Sequence, residues 1–327
     1  MHINKGTQLD SKKTALENHL RRIAKIDHLP EVTVIDTKND QWRNRIRLHA
    51  KVTKQILSTG LYKKNSTDII AIDDCTICLE PINKWLRWLQ ANQHNLKLSD
   101  DTSFDLQLDL DEKGLNIWPQ KIRANNKKSS THKIAKKIEE FIKSSQNDFD
   151  LTISVADLGF KQSNQEINTQ IQQIIGQAFE PSMRLLELYC GSGNLTSQLS
   201  QSAKEVIAVE QNFKKPDKKV PKMKFVNQPV EKFLAPLKSK YPPESKWDFD
   251  MVFLNPPRTG GKSIMPMLNK LELTQLGYLS CNSASLARDI STIMESQSGW
   301  QIEKIYLFDM FPETHHFETL ITMKKSN

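Results

Sequence analysis

The chain has 327 residues, with 46 Lys and Arg against 38 Asp and Glu, and therefore a formal net charge of +8. This length favours two domains, and 38% hydrophobic with 26% charged residues excludes a collagen-like or wholly disordered chain. No apolar run approaches the roughly 20 residues that cross a bilayer, and no apolar core follows the first charges, so we expect neither membrane insertion nor secretion. The four cysteines, at 75, 78, 190 and 281, are too widely spread for a disulfide framework, which favours a reducing cytoplasm.

The first half of the chain carries most of the excess positive charge and mixes helix-like with strand-like segments. Apolar spacing predicts an amphipathic start over 14–26, strands near 69–72 and 103–110, a helix over 81–90, and a polar, helix-prone stretch over 125–150. Residues 121–137 (KIRANNKKSSTHKIAKK) hold seven basic side chains and no acid. They suit either a phosphate-facing surface or a solvated lysine-rich loop.

A second basic segment, 41–49 (QWRNRIRLH), alternates with the two-residue period of a β-strand. This period puts Arg43, Arg45 and Arg47 on one face, where three guanidinium groups repel one another unless an anion meets them. Arginine is well shaped for phosphate, so the pattern indicates a nucleic-acid contact. Surface ion pairs with nearby acids would also explain it.

The second half contains a strand, a glycine turn, a helix and a second strand. Apolar residues at 167, 171, 174, 175 and 179 predict a helix from about 164, and a strand over 184–190 then runs into Gly191 and Gly193. A helix over 195–203 and a strand over 205–210 follow, ending at Glu210. The glycines let the backbone approach a ligand, and Glu210 can accept hydrogen bonds from both ribose hydroxyls. Since Thr196 takes the third glycine position of a dinucleotide motif, S-adenosylmethionine (SAM) is favoured.

An apolar strand over 249–254 ends in the sequence Asn255-Pro256-Pro257-Arg258. The two prolines end the strand abruptly and leave Asn255 and Arg258 at the rim where a SAM methyl group would lie. A plain strand terminator would have the same sequence and carry no function.

The last two segments carry a cysteine and an acid. Cys281 follows a short strand and precedes a helix opened by Ser283 or Ser285, so we expect the positive helix end to lower the pKa of its thiol. In 309–318 (DMFPETHHFE), the adjacent His315 and His316 lack the spacing of zinc ligands, and we interpret them as shaping a loop.

Four motifs, in this order along the chain, resemble the RNA 5-methyluridine methyltransferase family, SAM-dependent enzymes that act on tRNA or rRNA. They are ELYCGSGN at 187–194, NPPRTG at 255–260, SCNSASLARD at 280–289 and DMFPETHHFE at 309–318. Weaker matches are WRNRIRL at 42–48, IDDCTIC at 72–78 and FKQSN at 160–164, so the resemblance omits only the first few dozen residues. It implies an α/β fold, with a Rossmann-like SAM-dependent methyltransferase domain over 158–327 preceded by a smaller α+β RNA-binding domain over 1–157.

The resemblance implies methylation of uridine C5 through a covalent adduct. Uracil C5 is a poor nucleophile, so a cysteine thiolate first adds to C6 and makes C5 enolate-like; the matching position is Cys281. The C5 proton must leave before the thiolate is eliminated, and the position matching that base is Glu318. The resemblance also implies SAM contacts by Gln162, Tyr189, Asn194, Glu210 and Asn255, a turn shaped by Gly191 and Gly193, and substrate contacts by Arg43, Arg45, Arg47, Asn255 and Arg258.

The expected partner is RNA, with no membrane, and the chain is expected to act as a monomer in the cytoplasm. The target uridine must be splayed out of its stack before a pocket can reach C5. Many relatives hold an iron–sulfur cluster through four cysteines, three of them near the N-terminus. This chain has none before Cys75, and Cys75 with Cys78 cannot supply four ligands, so we expect neither a cluster nor structural zinc.

Three departures from the family pattern leave alternatives open. Asn255 stands where Asp is usual, Ser283 where Pro is usual, and Pro229 where many relatives contact the adenine. These substitutions are compatible with a non-catalytic RNA-binding relative, and the N-P-P sequence with an amino-methyltransferase. Arg258 in place of an aromatic residue argues against the latter, and the presence of both Cys281 and Glu318 favours an active C5-methyltransferase.

Overall fold

The computed structural model describes residues 3–99, 101–124, 128–157, 161–180, 183–212, 222–238, 248–296 and 299–326. The helices in these ranges are α1 (Lys5–Arg22), α2 (Glu80–Asn92), α3 (Lys128–Ser144), α4 (Gln165–Gln177), α5 (Thr196–Ser202), α6 (Val230–Leu234), α7 (Met265–Leu268) and α8 (Ser283–Ser296). The strands are β1 (Val32–Ile35), β2 (Arg45–Thr53), β3 (Ile56–Tyr62), β4 (Ile69–Ala71), β5 (Ser103–Asp111), β6 (Gly114–Arg123), β7 (Ile153–Ser154), β8 (Met183–Leu188), β9 (Ala203–Glu210), β10 (Met223–Asn227), β11 (Met251–Leu254), β12 (Gln275–Ser280), β13 (Trp300–Phe308) and β14 (Glu318–Lys325).

The chain folds into two compact units. Met1–Thr37 joins Glu166–Asn327 in what we call the eight-stranded unit, and Lys38–Gln165 forms the six-stranded unit. This division differs from the predicted one, which put residues 1–157 in a first domain. The N-terminal segment belongs with the later residues because β1 pairs in parallel with β13 and α1 packs on α8.

The eight-stranded sheet has the order β10-β9-β8-β11-β12-β14-β13-β1. Its neighbouring strands are parallel except where β14 runs antiparallel to β12 and β13. Strands β11 and β12 are buried along their whole length, as in a sheet covered on both faces. This is the predicted Rossmann-like α/β fold. The carboxyl ends of the parallel strands share one edge, and the reversed β14 brings its first residue to that same edge.

The six-stranded sheet has the order β4-β3-β2-β5-β6-β7 and is antiparallel except between β6 and β7. Apolar residues of the sheet pack with α2 and α3 into one core, which includes Leu48, Trp85 and Ile138. Along β2 the residues alternate, with Ile46 and Leu48 buried and Arg47 exposed. The unit is therefore α+β, as expected, with its helices contributing to the core of a largely antiparallel sheet.

Several predicted boundaries shift for local reasons. The N-terminal helix begins at Lys5 rather than near residue 14, because the Asn4 side chain caps it by accepting a hydrogen bond from the Thr7 N–H at 2.9 Å. The strand predicted to end at Cys190 ends at Leu188, because Tyr189 has a left-handed φ of 62°. No helix in the described ranges combines the length and the apolar character that a membrane span needs.

Candidate active site

The glycine turn after β8 leaves open space beside the backbone. Gly191 and Gly193 have φ values of 58° and 85°, a region that L side chains rarely adopt. A Cβ built on Gly191 meets no atom within 4 Å, so a ligand can approach the backbone there. Tyr189 enters the turn half-buried, and its hydroxyl donates to Glu231 at 3.3 Å.

Glu210, the last residue of β9, is held beside this turn by backbone donors. Its Oε2 accepts a hydrogen bond from the Gly191 N–H at 3.2 Å, and its Oε1 accepts from the N–H groups of Gln211 and Asn212 at 2.8 and 3.2 Å. The carboxylate is partly exposed, so its remaining lone pairs can accept from a ligand.

The side chain of Asn194, by contrast, is bound to α4. It donates to Asn168 Oδ1 at 2.8 Å and accepts from Gln172 Nε2 at 3.0 Å, while Gln172 also donates to the Asn194 carbonyl at 2.9 Å. Asn194 therefore fixes the turn to the helix, which leaves little of its amide for a direct ligand contact.

The sequence interpretation missed Glu187, a buried acid near the end of β8. Its side chain is 1% exposed and its Oε2 has no hydrogen-bond partner. Burial raises the pKa of Glu187 to about 8. Only its place four residues before Gly191 singles it out in the sequence. A buried carboxyl next to the glycine turn, with one oxygen that lacks a partner, is suited to a cationic group of a ligand.

The loop after β11 is anchored by Asp289 of α8. The Asn255 N–H donates to the Leu188 carbonyl at 3.2 Å, which fixes the start of the loop to β8. The fully buried Asp289 accepts from the Gly261 N–H at 2.6 Å and from the Tyr278 hydroxyl at 2.7 Å. Between these anchors, Arg258 is exposed and its carbonyl accepts from Ser285 at 3.0 Å. The carboxylate of Asp289 thus holds the loop that carries Arg258.

Cys281 and Glu318 come together through the pairing of β12 with β14. The antiparallel register aligns Ser280 with Thr319, so the next residue of each chain segment, Cys281 and Glu318, lies at the same end of the ladder. Cys281 is half-buried, whereas the Glu318 side chain is 7% exposed. The carboxyl ends of β8, β9, β11 and β12 meet at this edge.

Arg258 lies close to both groups and counteracts their burial. Burial and the Glu318 charge raise the pKa of the Cys281 thiol, while the Arg258 guanidinium, through its charge and a hydrogen bond, acts in the opposite direction. Burial raises the pKa of Glu318 to about 8, again opposed by Arg258. The expected lowering of the Cys281 pKa is therefore wrong, because desolvation and a neighbouring carboxylate outweigh the helix end.

The helix after Cys281 is capped by Asn282, not by the serines predicted to open it. Asn282 Oδ1 accepts from the N–H groups of Ala284 and Ser285 at 3.1 and 3.0 Å. Ser283, which replaces the usual proline, instead lies 2.8 Å from Nδ1 of His19 on α1. The N-terminal helix therefore contacts the turn that carries Cys281.

Helix α1 also supports the segment before Glu318. Lys12 of α1 and Asp309 form an ion pair of 2.5 Å in which the side chains are 4% and 1% exposed. Lys12 also donates to the Phe311 carbonyl at 3.3 Å. These contacts explain why the N-terminal segment folds with the eight-stranded unit: it fixes both chain segments that meet at the Cys281–Glu318 edge.

The structure assigns the other predicted residues to the six-stranded unit, namely Gln162, Arg43, Arg45 and Arg47. Arg43 precedes β2, where its Nε donates to the Arg45 carbonyl at 2.7 Å. Arg45 lies 4.0 Å from Asp109, stacks over Trp118 and has a pKa lowered by burial. Arg47 is exposed and donates to Gln107 at 3.3 Å. Two of the three arginines therefore share a face of the strand, and Arg43 lies outside it.

The lysine-rich segment is described in part. Residues 125–127 and Phe160 of the FKQSN match lie outside the described residues. Lys121 pairs with Asp105 at 3.3 Å, and Lys136, on α3, lies 3.9 Å from Glu140. The segment is thus partly helical, and the ion pairs of Lys121 and Lys136 are formed by solvent-exposed lysine side chains.

The four cysteines are divided between the two units. Cys75 and Cys78 lie in the six-stranded unit, and Cys190 and Cys281 lie in the eight-stranded unit. Within the part of the chain that the structure describes, no three His, Cys, Asp or Glu side chains are grouped as metal ligands. The rings of His315 and His316 are 3.9 Å apart, in the loop before Glu318.

Comparisons with known proteins point to one family. The model of the tRNA (uracil-5-)-methyltransferase family matches residues 102–227 and 243–326. A 23S rRNA (uracil(1939)-C(5))-methyltransferase RlmD from Pseudomonas putida is 25% identical over 98% of this chain and 75% of its own length. The enzyme of the same name from Shewanella piezotolerans is 29% identical over 98% of this chain and 77% of its own length.

A solved structure has the same fold. The tRNA (uracil-54, C5)-methyltransferase of Pyrococcus abyssi, in complex with S-adenosyl-L-homocysteine, superposes with a TM-score of 0.63 over 98% of this chain and 84% of that one. Its sequence identity is 17%, so this likeness concerns the fold. Since the family model matches more than half of the sequence, the chain belongs to the tRNA (uracil-5-)-methyltransferase family of SAM-dependent RNA (uracil-C5) methyltransferases.

Proposed function

We propose that this enzyme methylates C5 of a uridine in structured rRNA or tRNA through a covalent bond between Cys281 and C6 of the base. The observation that carries the proposal is the register of β12 and β14, which brings a thiol and a buried carboxyl to the carboxyl edge of the sheet. Neither an amino-methyltransferase nor a plain RNA-binding protein has a use for this pair.

In the first step Cys281 acts as the nucleophile. Its thiol must lose a proton, and the guanidinium of Arg258 favours the thiolate against the opposing effects of burial and Glu318. Addition of the sulfur to C6 makes C5 electron-rich. Arg258 is thus proposed to stabilise two negative charges: that of the Cys281 thiolate before addition, and that which develops on a pyrimidine oxygen after addition.

Glu318 is the proposed base of the second step. After methyl transfer, C5 carries both the methyl group and its original proton, and removal of that proton lets the Cys281–C6 bond break. A base with a pKa near the working pH is suited to this transfer, and burial gives Glu318 a pKa of about 8. Its low exposure also keeps water from the proton that it removes.

The residues around the glycine turn fit SAM. Gly191 has free space beside it, Glu210 has acceptor capacity for the ribose hydroxyls, and the free Oε2 of the buried Glu187 carboxyl is suited to the ammonium group. Tyr189 and Asn255, which follow the neighbouring strands β8 and β11, are further proposed SAM contacts. Gln162, in the six-stranded unit, is also a proposed SAM contact. Asn194 is proposed to act by holding the glycine turn against α4. When bound, SAM supplies an electrophilic methyl group.

The proposed RNA class follows from the relatives, whose names specify 23S rRNA and tRNA. Arg43, Arg45 and Arg47 are proposed to contact the RNA backbone, Asn255 and Arg258 the target base, and the enzyme to work as a cytoplasmic monomer. Replacing the three arginines with glutamate is expected to weaken RNA binding and flatten its salt dependence. Unchanged affinity and salt dependence would remove the arginines from the interface.

The covalent step is tested with RNA that contains 5-fluorouridine. Fluorine at C5 cannot leave as a proton does, so the enzyme with SAM is expected to accumulate a protein–RNA adduct that survives denaturation. Cys281→Ala should form none, whereas Glu318→Gln should form an adduct even on unmodified RNA, because the C5 proton stays in place. Methylation of C5 without any adduct would refute the mechanism, and methylation of a base nitrogen would favour the amino-methyltransferase.

A further inference from the structure

A Cys-x-x-Cys sequence in the six-stranded unit takes no part in the proposed methyl transfer. Cys75 is half-buried, Cys78 is buried, and both are free thiols. The Cys78 N–H donates to the Cys75 carbonyl at 2.9 Å, which closes a tight turn just before α2 begins at Glu80. This turn brings the two cysteines close together, and the interaction between their thiols acts on the pKa of both.

A buried asparagine fixes the geometry of this turn. Asn83 is fully buried on α2; its Oδ1 accepts from the Cys75 N–H at 3.0 Å, and its Nδ2 donates to the carbonyls of Cys75 and Cys78 at 3.1 and 3.3 Å. Three hydrogen bonds from one buried amide hold both cysteines in place. The pair is therefore ordered in the folded protein and is not a chance proximity within a loose loop.

Arg43 closes the other side of the turn. Its N–H donates to the Ile77 carbonyl at 2.8 Å, and its carbonyl accepts from the Leu79 N–H at 2.9 Å. Its positive charge favours the ionised form of both sulfurs. With the hydrogen bond from Cys78 as the main cause, the pKa of Cys75 falls to about 6, whereas that of Cys78 is raised.

The other two cysteines differ from this pair. Burial raises the pKa of both Cys190 and Cys281, which lie in the eight-stranded unit. Cys281 and Cys75 are both half-buried, so exposure does not distinguish them. What distinguishes Cys75 is a neighbouring thiol that both stabilises its thiolate and can react with it.

We propose that Cys75 and Cys78 form a thiol–disulfide exchange site for a small disulfide such as glutathione disulfide. The Cys75 thiolate attacks one sulfur of glutathione disulfide, forms a mixed disulfide and releases one glutathione thiolate. Cys78 then loses its proton to solvent and attacks the Cys75 sulfur, which releases the second glutathione. The protein dithiol is oxidised to a disulfide, and glutathione disulfide is reduced by two electrons.

Cys75 is expected to react with glutathione disulfide faster than an ordinary thiol does, by a modest but measurable factor. A thiol with a pKa near 6 is about 90% ionised at pH 7, against about 1% for an ordinary thiol of pKa near 9. Lower basicity reduces the intrinsic reactivity of the thiolate by about twentyfold over three pKa units. Cys75 should therefore react roughly fivefold faster than such an ordinary thiol at pH 7, and its advantage over Cys281, whose pKa is raised, should be larger. The difference should widen as the pH falls toward 6.

The test uses the full chain, glutathione disulfide at pH 6 and pH 7, an acid quench, and mass spectrometry of the peptides. A disulfide between Cys75 and Cys78 should form first, with Cys281 as the internal control. Cys78→Ser should stop at a mixed disulfide on Cys75, and Cys75→Ser should leave the buried Cys78 unmodified. The proposal is overturned if no disulfide joins the pair, if Cys281 reacts as fast as Cys75, or if Cys78→Ser takes up no glutathione.

A readout on the unaltered chain covers the case in which a variant fails to fold. The rate of alkylation of Cys75 by iodoacetamide should reach half of its maximum near pH 6, whereas alkylation of Cys281 should still be rising above pH 9. Parallel pH profiles for the two thiols would likewise overturn the proposal.

Discussion

Replacing Glu318 with glutamine should stabilise the fold while it blocks turnover. In the unfolded chain this carboxyl has a pKa near 4.5, and in the fold burial raises it to about 8. A raised carboxyl pKa means that the folded state keeps its proton while the unfolded state loses it. The free energy of unfolding therefore decreases as the pH rises from 4.5 to 8. Above pH 8, Glu318 causes no further change in the free energy of unfolding.

The size of the effect follows from the gap between the two pKa values. Each pKa unit corresponds to 1.36 kcal/mol. Through this one residue, the free energy of unfolding of the wild-type protein therefore falls by about 3 kcal/mol by pH 7 and by about 5 kcal/mol above pH 8. Glutamine is neutral at every pH and has nearly the same shape. The stability difference between Glu318→Gln and wild type should therefore grow by about 3 kcal/mol or more between pH 5 and pH 8.5.

The assay is urea unfolding at pH 5, 7 and 8.5, with hydrogen exchange of the β14 peptides to identify the unit that contains residue 318. Glu303→Gln is the matched control, because Glu303 is exposed on the neighbouring strand β13 and its carboxyl is solvated in both states. A difference that stays constant within about 1 kcal/mol across this range would refute the reasoning. Glu318 would then be ionised in the fold at neutral pH.

Three further substitutions test the supports of the site. Asp289→Ala removes the acceptor of two buried donors and should lower the free energy of unfolding in urea by about 3–5 kcal/mol, with Asp289→Asn losing less. Lys12→Met leaves Asp309 buried without its cation and should cost about 3–5 kcal/mol, most of which Asp309→Asn should restore in the double variant. Glu210→Ala should weaken SAM binding by roughly tenfold to a hundredfold in calorimetry. Glu205→Ala, at the other end of β9 where Glu205 pairs with Arg184, should leave the affinity unchanged. Equal effects at 210 and 205 would contradict the assigned role.

The parts of the fold that the sequence predicted are those with local causes. The glycine turn and Glu210 lie within about one βαβ unit, so strand length, two glycines and a terminal acid suffice to identify them. The resemblance identified Cys281 and Glu318 by motif. Their approach depends on the pairing of two strands separated by a helix and another strand, which no periodicity reveals.

The errors have non-local causes. The helix end beside Cys281 suggested a lowered thiol pKa, but a carboxylate brought by β14 and the burial of the turn reverse the direction. The predicted domain division put Lys12 in the first domain, apart from its partner Asp309, which is almost 300 residues further along the chain. A lysine at a core position of an amphipathic helix is the one signal that could have indicated a buried acid elsewhere.

The direction of a single strand accounts for the chemistry of this edge. In a sheet with only parallel strands, the residue that begins a strand lies at the amino edge, opposite the ligand. Because β14 is reversed, Glu318 begins its strand where β12 ends, next to the backbone of Cys281. Glu318 pairs in register with Phe308 of β13, and burial raises the pKa of its carboxyl, while the charge of Arg258, in the loop after β11, acts in the opposite direction. A buried carboxyl with a pKa near 8, placed beside the Cys281 thiol, thus follows from the antiparallel insertion. In the proposed mechanism, this placement lets the ionised form of Glu318 reach the C5 proton, and the raised pKa makes it a stronger base for removing that proton.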